Sequence, residues 1–220
     1  MENVTLLDVY KKILEISYKH NMSHIGSSLS VAPILYKIYK NKKEDEIVIL
    51  SKGHAAAAMY AILLLVGKIT EEELDKNFCG HITTKIPGIY WSTGSLGHGL
   101  PIAIGCIHAN PSRKVHVVLS DGELDEGSTL EAIYFILNNK TWDNLKVYVD
   151  RNGYSATKKT NNYILYYMLE DNWENFSVIE NNKGLICLKE LSGLKSHYKK
   201  ISKEDYERYL LGIDDWLNEE

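Results

Sequence analysis

Four carboxylates, Asp121, Glu123, Asp125 and Glu126, fall within six residues of the stretch "VHVVLSDGELDEGS" (115–128). They stand where a β-branched run breaks at Asp-Gly and a helical pattern begins. Charge at such a junction admits two readings. Acidic side chains accept hydrogen bonds from the free N–H groups of a turn or a first helical turn, so these could be turn and cap residues. They could equally offer oxygen to a hard divalent cation such as Mg²⁺, which takes oxygen ligands and bridges to phosphate. A second oxygen-bearing side chain, Asn152, follows 31 residues later in "VDRNGYS".

Two further groups could handle anions or protons. The glycine-rich segment "STGSLGHGLPIAIG" (92–105) has the spacing G-x-x-G-x-G and runs into a helical pattern. Such glycines let backbone amides approach an anion, but they also serve ordinary helix packing. The spacing is not the dinucleotide fingerprint, and no β-branched strand closely precedes it. His24, His54, His81 and His98 each lie within two residues of a glycine, in expected loops. Imidazoles there can contact phosphate or relay protons, or simply cap and solvate the surface.

The elements that must position these residues follow from hydrophobic periodicity. Residues 46–51, 115–120 and 144–150 read as strands, as do 175–180 and 184–190. Helical patterns occupy the amphipathic N-terminus, 55–67, 128–139 and a C-terminal segment opened by Ser202 with Asp205 three residues on. Residues 156–174 read as loop and short helix. Strands separated by helices predict an α/β fold with a parallel sheet covered on both faces. The unit 115–150 then places Asp121 and Asn152 on the same sheet edge, outside the carboxyl ends of the strands, where open α/β sheets bind ligands.

Composition bounds the rest. The chain has 220 residues, 45% hydrophobic and 25% charged, with a net charge of −4. This suits one globular domain spanning 1–220 and excludes the dense basic patch of a nucleic-acid binder. The apolar run 55–67 is shorter than the about 20 residues that span a bilayer. Cys79, Cys106 and Cys187 form no CxxC pair, which suits a reducing compartment. No signal-peptide pattern opens the chain, so a cytoplasmic location is expected.

Taken together, "SHIGSSLS", "LSKGHAAAAMYAIL", "STGSLGHGLPIAIG" and "SDGELDEGSTLEA" followed by "VDRNGYS" resemble, in order, the blocks of transketolases. The last pair resembles the thiamine diphosphate motif, GDG followed about thirty residues later by Asn, with Ser120 in place of the first Gly. The resemblance is to the N-terminal, diphosphate-binding subunit of a split transketolase, and it covers residues 10–155 best. It implies the thiamine diphosphate-binding fold and transfer of a two-carbon ketol unit from a ketose donor to an aldehyde acceptor. Thiamine diphosphate and Mg²⁺ (or Ca²⁺ or Mn²⁺) would be the cofactors.

Residue by residue, the resemblance makes Asp121, Asn152 and the carbonyl of Tyr154 the metal ligands. It assigns Gly94, Ser95, Leu96, Gly122, Glu123, His54, Lys52 and Lys189 to the cofactor pocket. His24, His54, His81 and His197 would line the substrate channel and move protons, with Glu126 and Glu131 at a subunit interface between two active sites. On the residues alone, Glu123 and Asp125 read as capping or solvated charge. After Gly153 no room remains for the family's pyrimidine-binding domain, which implies a separate partner subunit, an α2β2 assembly, and no activity from this chain alone. Shortened segments after Tyr154 and at 195–196 imply an unusual phosphosugar or nucleotide-linked sugar substrate. Two rivals remain: another thiamine diphosphate enzyme acting on pyruvate or a 2-oxoacid, and a non-catalytic scaffold for a partner.

Overall fold

The computed structural model describes residues 1, 3–139, 142–180, 190–191 and 194–217. Two helices lead into the sheet, α1 (Leu6–Lys19) and α2 (Ile25–Asn41). Strand β1 (Ile47–Leu50) is followed by a 3-10 turn at Gly53–Ala55 and helices α3 (Ala56–Leu65), α4 (Glu71–Asn77) and α5 (Gly99–Ala109). Strand β2 (Val115–Ser120) passes through a 3-10 turn at Asp121–Asp125 into α6 (Gly127–Asn138) and β3 (Leu145–Arg151). Helix α7 (Tyr163–Asn172) and β4 (Phe176–Glu180) come next, and α8 (Lys203–Leu217) closes the described chain. The expected strand at 184–190 lies almost wholly outside the described residues.

The sheet is parallel in the order β1-β2-β3-β4. Because strand side chains alternate, two sets of residues point to opposite faces. Ile47, Ile49, Val115, Val117, Leu119, Leu145, Val147 and Val149 pack against Leu100, Ala103 and Ile107 of α5 and against α6 and α7. Val48, Leu50, Val118 and Tyr148 pack against α1, α2, α3 and α8. Both faces are thus covered, as the strand–helix alternation predicts. Each fully buried aliphatic side chain contributes about 1.5–3 kcal/mol, so neither layer can peel away cheaply.

Helix ends follow local chemistry. Thr5 accepts the Asp8 amide at 3.2 Å while Asp8 accepts the Thr5 amide at 2.7 Å, a closed capping box for α1. Thr70 and Glu73 do the same for α4, and Ser202 accepts the Asp205 amide at 3.1 Å as the sequence predicts. Helices α2 and the short α4 are not among the expected elements, and α2 is the longer of the two. Gly26 and Pro33 interrupt it, and apolar residues such as Ile25, Leu29, Ile34 and Leu35 are buried together with Ser28 and Ser30 around it. Among the described residues no helix is long and apolar enough to cross a membrane.

Candidate functional site

At the carboxyl edge of the sheet, Ser120 lies opposite Asp150 across the β2–β3 ladder. The two chains therefore leave the sheet side by side, carrying Asp121 and Asn152 into adjacent turns. Asp121 is buried. Its Oδ1 accepts the Gly122 amide at 3.0 Å, and its Oδ2 accepts the Gly153 amide at 2.7 Å and the Thr160 hydroxyl at 2.6 Å. The Asn162 side-chain amide donates to the Asp121 carbonyl at 2.8 Å. Asn152 Oδ1 accepts the Tyr154 amide at 2.9 Å, turning the chain at Gly153, whose φ is +82°. Burial pushes the Asp121 carboxyl upward, and its hydrogen bonds to Thr160 and Gly153 oppose that.

Gly122, Asn152, Tyr154, Ser155 and Ala156 line one wall of a cavity of about 350 Å³. A Cβ on Gly122 would stand 3.1 Å from Ser155 Cβ, a tight contact that Ser155 would have to yield to. Among the described residues no three His, Cys, Asp or Glu side chains are grouped so that they could hold a metal ion between them. The donors here are one carboxylate, one amide oxygen and main-chain oxygen, a hard set with spare lone pairs. That set fits Mg²⁺ or Ca²⁺ rather than a thiolate- or imidazole-bound metal.

Glu123 corrects one expectation. It caps, since its Oε2 accepts the Ser120 amide at 2.9 Å, but it is not solvated. Its Oε1 accepts the Ser51 hydroxyl at 2.5 Å and the Gly97 amide at 2.9 Å, and Ser51 Oγ accepts the Gly99 amide at 3.0 Å. One buried carboxylate therefore ties the end of β1, the glycine-rich loop and the end of β2. Burial pushes its pKa upward and these donors oppose the shift. The loop glycines are steric requirements: a Cβ at Gly97 or Gly99 would lie 2.4 Å from Ser128 Oγ or 2.3 Å from Ser51 Cβ. Asp125 keeps the solvated reading, exposed and paired with Lys158.

Lys52 is a second correction. Its side chain is fully buried behind the cavity lining, with Nζ 2.5 Å from Asp150 Oδ2. The Ser30 hydroxyl donates to the other Asp150 oxygen at 2.5 Å. Lys52 thus joins β1 to β3 and α2 instead of reaching the pocket. Lys189 and Cys187 lie outside the described residues.

The opposite wall is made of imidazoles. His24, His54, His81 and His197 all line the cavity, with ring centroids of His24 5.1 Å from His54, 6.2 Å from His81 and 4.6 Å from His197. Of the set His24, His54, His81 and His98, the first three line the cavity and His98 sits exposed at the start of α5; His197, expected from the family resemblance, lines it too. His24 precedes α2 in the left-handed region, φ +59°, a costly conformation for a residue with a Cβ. The Ser28 amide donates to its carbonyl, and its own amide donates to the His197 carbonyl at 3.2 Å. Ser27 Oγ lies 2.9 Å from His54 Nε2.

Burial, then the neighbouring His197, His81 and Lys52, lowers the His24 pKa to about 4. Burial and Lys52 hold His54 well below the ordinary imidazole value, and the same two causes lower His197. His24 and His54 are neutral at pH 7. The His24 Nδ1 is buried without a hydrogen-bond partner among the described residues. Gly94 and Leu96 of the glycine-rich loop complete the lining, and a Cβ on Gly94 would meet His81 at 3.1 Å. Ser95 is exposed just beside them.

Ser27, Leu191, Ser155 and Tyr198 also line the cavity and were not singled out from sequence. Ser27, one helical turn past His24, and Tyr198, next to His197, carried the only available signal. Glu126 is half-buried beneath Gly97 at the start of α6, and Glu131 is exposed further along that helix. The same helix exposes Leu130, Tyr134, Phe135 and Leu137, with Tyr134 71% accessible.

Residues 12–183 match the family of transketolase thiamine diphosphate-binding domains. The chain is 34% identical over 195 residues to one of the subunits of apulose-4-phosphate transketolase from Phocaeicola vulgatus, covering 78% of this chain and 69% of that protein. The protein of the same name from Actinobacillus succinogenes is 36% identical over 176 residues, 70% of this chain and 63% of its own length. The 6-deoxy-6-sulfo-D-fructose transketolase subunit SqwG of a Clostridium species is 30% identical over 191 residues, with coverages of 76% and 68%. The matched region thus spans 63–69% of these three relatives.

Proposed function

Since the chain belongs to the transketolase thiamine diphosphate-binding family, we propose that it is the cofactor-binding subunit of a two-component transketolase. It would transfer a two-carbon ketol unit from a ketose to an aldehyde acceptor, with a phosphosugar as substrate. The observation that carries this reading is the convergence on one cavity of the strand-end oxygens around Asn152 and Tyr154 with four histidines. When bound, thiamine diphosphate supplies a carbon able to hold the electron pair released as a ketose C–C bond breaks.

The chain's own residues divide the remaining work. Asp121, Asn152 and the Tyr154 carbonyl hold a divalent cation, and Gly122 leaves space for the diphosphate. His24 and His54, neutral at pH 7, are competent to take a substrate hydroxyl proton. Leu96 and Leu191 keep part of the pocket apolar. The pyrimidine-binding half comes from a partner subunit in an α2β2 assembly, a reading supported by relatives that are themselves named as transketolase subunits. The exposed apolar face of α6, with Glu126 and Glu131 beside it, offers surface for such an assembly.

Co-expression with the product of the neighbouring gene, followed by calorimetric titration with thiamine diphosphate and Mg²⁺, tests the proposal. Binding is expected for the wild-type pair, and Asp121→Ala should weaken it by about 100-fold or more, since even outer-shell metal-site partners are worth about 10–100-fold. A wild-type pair that binds no cofactor overturns the reading.

A further inference from the structure

His197 and Tyr198 close the cavity from above, and neither belongs to the sheet or to the helices around it. Both sit in the segment 194–199, a 3-10 turn at Leu194–Ser196 followed by a bend. Internal bonds keep this segment compact: Ser196 Oγ donates to the Glu190 carbonyl at 2.8 Å, and the Lys199 amide donates to the Ser196 carbonyl at 3.0 Å. What holds it over the cavity comes from α8. Arg208 donates through both guanidinium arms to the two Glu190 carboxylate oxygens, each at 2.6 Å. The Tyr209 hydroxyl donates to Glu190 Oε2 at 2.9 Å, and the Tyr209 ring is buried in the core that α8 shares with α1. At the far end, Lys199 Nζ lies 3.5 Å from the Tyr209 hydroxyl and 3.7 Å from Asp205, which Arg208 also contacts at 3.1 Å. Tyr206 of α8 stacks on Tyr18 of α1 at 4.9 Å, fixing α8 itself.

We propose that Arg208 is a positioning residue for the histidine wall, acting through Glu190 to hold His197 and Tyr198 against His24. The role rests on the function proposed above only in its catalytic consequence; the placement itself is a property of this chain. An isolated exposed ion pair does little, but a two-armed guanidinium–carboxylate pair inside a five-residue network has fixed geometry. It is needed here because His24 occupies a left-handed conformation that its surroundings must impose, and one of its backbone partners is the His197 carbonyl. The Tyr198 ring, 5.0 Å from His24 and 4.7 Å from His197, completes the cover. Without the Glu190–Arg208 pair, the cover lifts, His24 gains water, and substrate would meet a displaced His197.

Histidine titration by NMR in the free, full-length chain reads this directly and needs neither cofactor nor partner. In the wild type, His24 faces His54, His81, His197 and Lys52 and should titrate near pH 4. Arg208→Ala should raise its midpoint by about one unit or more, because desolvation is the largest cause of the depression. The conservative variant Arg208→Lys, which keeps a cationic donor for Glu190 and Asp205, should shift it less than Arg208→Ala does. Lys203→Ala, which removes only an exposed pair with Glu207 on the same helix, should leave it where it was. The proposal is overturned if His24 titrates unchanged in Arg208→Ala with the circular dichroism of the wild type, if Arg208→Lys shifts it as far as Arg208→Ala, or if Lys203→Ala shifts it equally. Failure of the chain and its partner to bind thiamine diphosphate would instead remove the functional reading and leave the positioning role intact.

Discussion

The two walls of the cavity are built by opposite strategies. The oxygen wall comes from one strand–helix–strand unit: Asp121 follows β2, Asn152 follows β3, and parallel pairing of Ser120 with Asp150 sets both at the same height. The histidine wall gathers residues from four separate segments, the start of α2, the turn after β1, the loop after α4, and the bend before α8. The first is a product of sheet register and would form wherever the unit folds. The second exists only when distant pieces have docked. Where both must act on one molecule, some element has to fix them to each other, and the Lys52–Asp150–Ser30 group does so. Lys52 lies two residues before His54, Asp150 two before Asn152, and Ser30 belongs to the helix that His24 opens.

The largest effect should come from breaking that link. Lys52→Met would leave the Asp150 carboxylate buried with Ser30 as its partner, at a cost of about 3–5 kcal/mol in urea unfolding. The double variant Lys52→Met with Asp150→Leu should recover most of the loss, because replacing both charges removes the unpaired one. A single variant as stable as the wild type would show that the walls are not joined there.

A smaller, opposed pair of effects should appear on acidification. His24 and His54 have folded pKa values below the unfolded one, so the unfolded chain binds more protons, and stability falls as pH drops from about 6.5 toward about 4. Asp121 is raised, so over the window just above its unfolded value the folded chain binds more protons and stability gains as pH falls. The urea midpoint of Asp121→Asn should therefore decline more steeply with acid than that of the wild type. That of His24→Gln should decline less steeply, by up to about one proton in slope. Equal slopes in all three would dissolve the contrast between the walls.

The smallest perturbation addresses the histidine wall alone. Gly94→Ala places a Cβ 3.1 Å from His81 Cδ2, so the exposed ring must yield slightly. The expected stability change is about 0.5 kcal/mol or less, with a shift of the His81 ring resonances and none at the Asn152 side-chain amide.

The contrast also explains what the sequence disclosed. The strand expected at 115–120 is β2 to the residue, because a β-branched run cut by Asp-Gly is a local signal. Asp121 and Asn152 could be placed on one edge for the same reason. Glu123 could not be told from a solvated cap, since its partners Ser51 and Gly97 lie 72 and 26 residues away. Lys52 was misplaced because its neighbours Gly53 and His54 suggest a pocket, while its real partner sits on another strand. Three of the histidines could be grouped by their glycine neighbours, but His197 entered only through family likeness. Their spacing carries no period, and α2, which presents the first of them, is too evenly apolar to show a face.

The Glu123 carboxylate has a consequence for how the molecule opens. Loops usually exchange their amide hydrogens with solvent independently of the sheet beside them, because they can open alone. The Gly97 amide donates to Glu123 and the Gly99 amide to Ser51, which itself donates to Glu123. Glu123 in turn accepts from Ser120 at the end of β2. The glycine-rich loop and the ends of the two neighbouring parallel strands therefore share one anchor, and freeing any of them strands a buried carboxylate. The segment that would face the cofactor is in this sense not a loop at all in its energetics: it belongs to the same cooperative unit as the sheet and opens only when the sheet does.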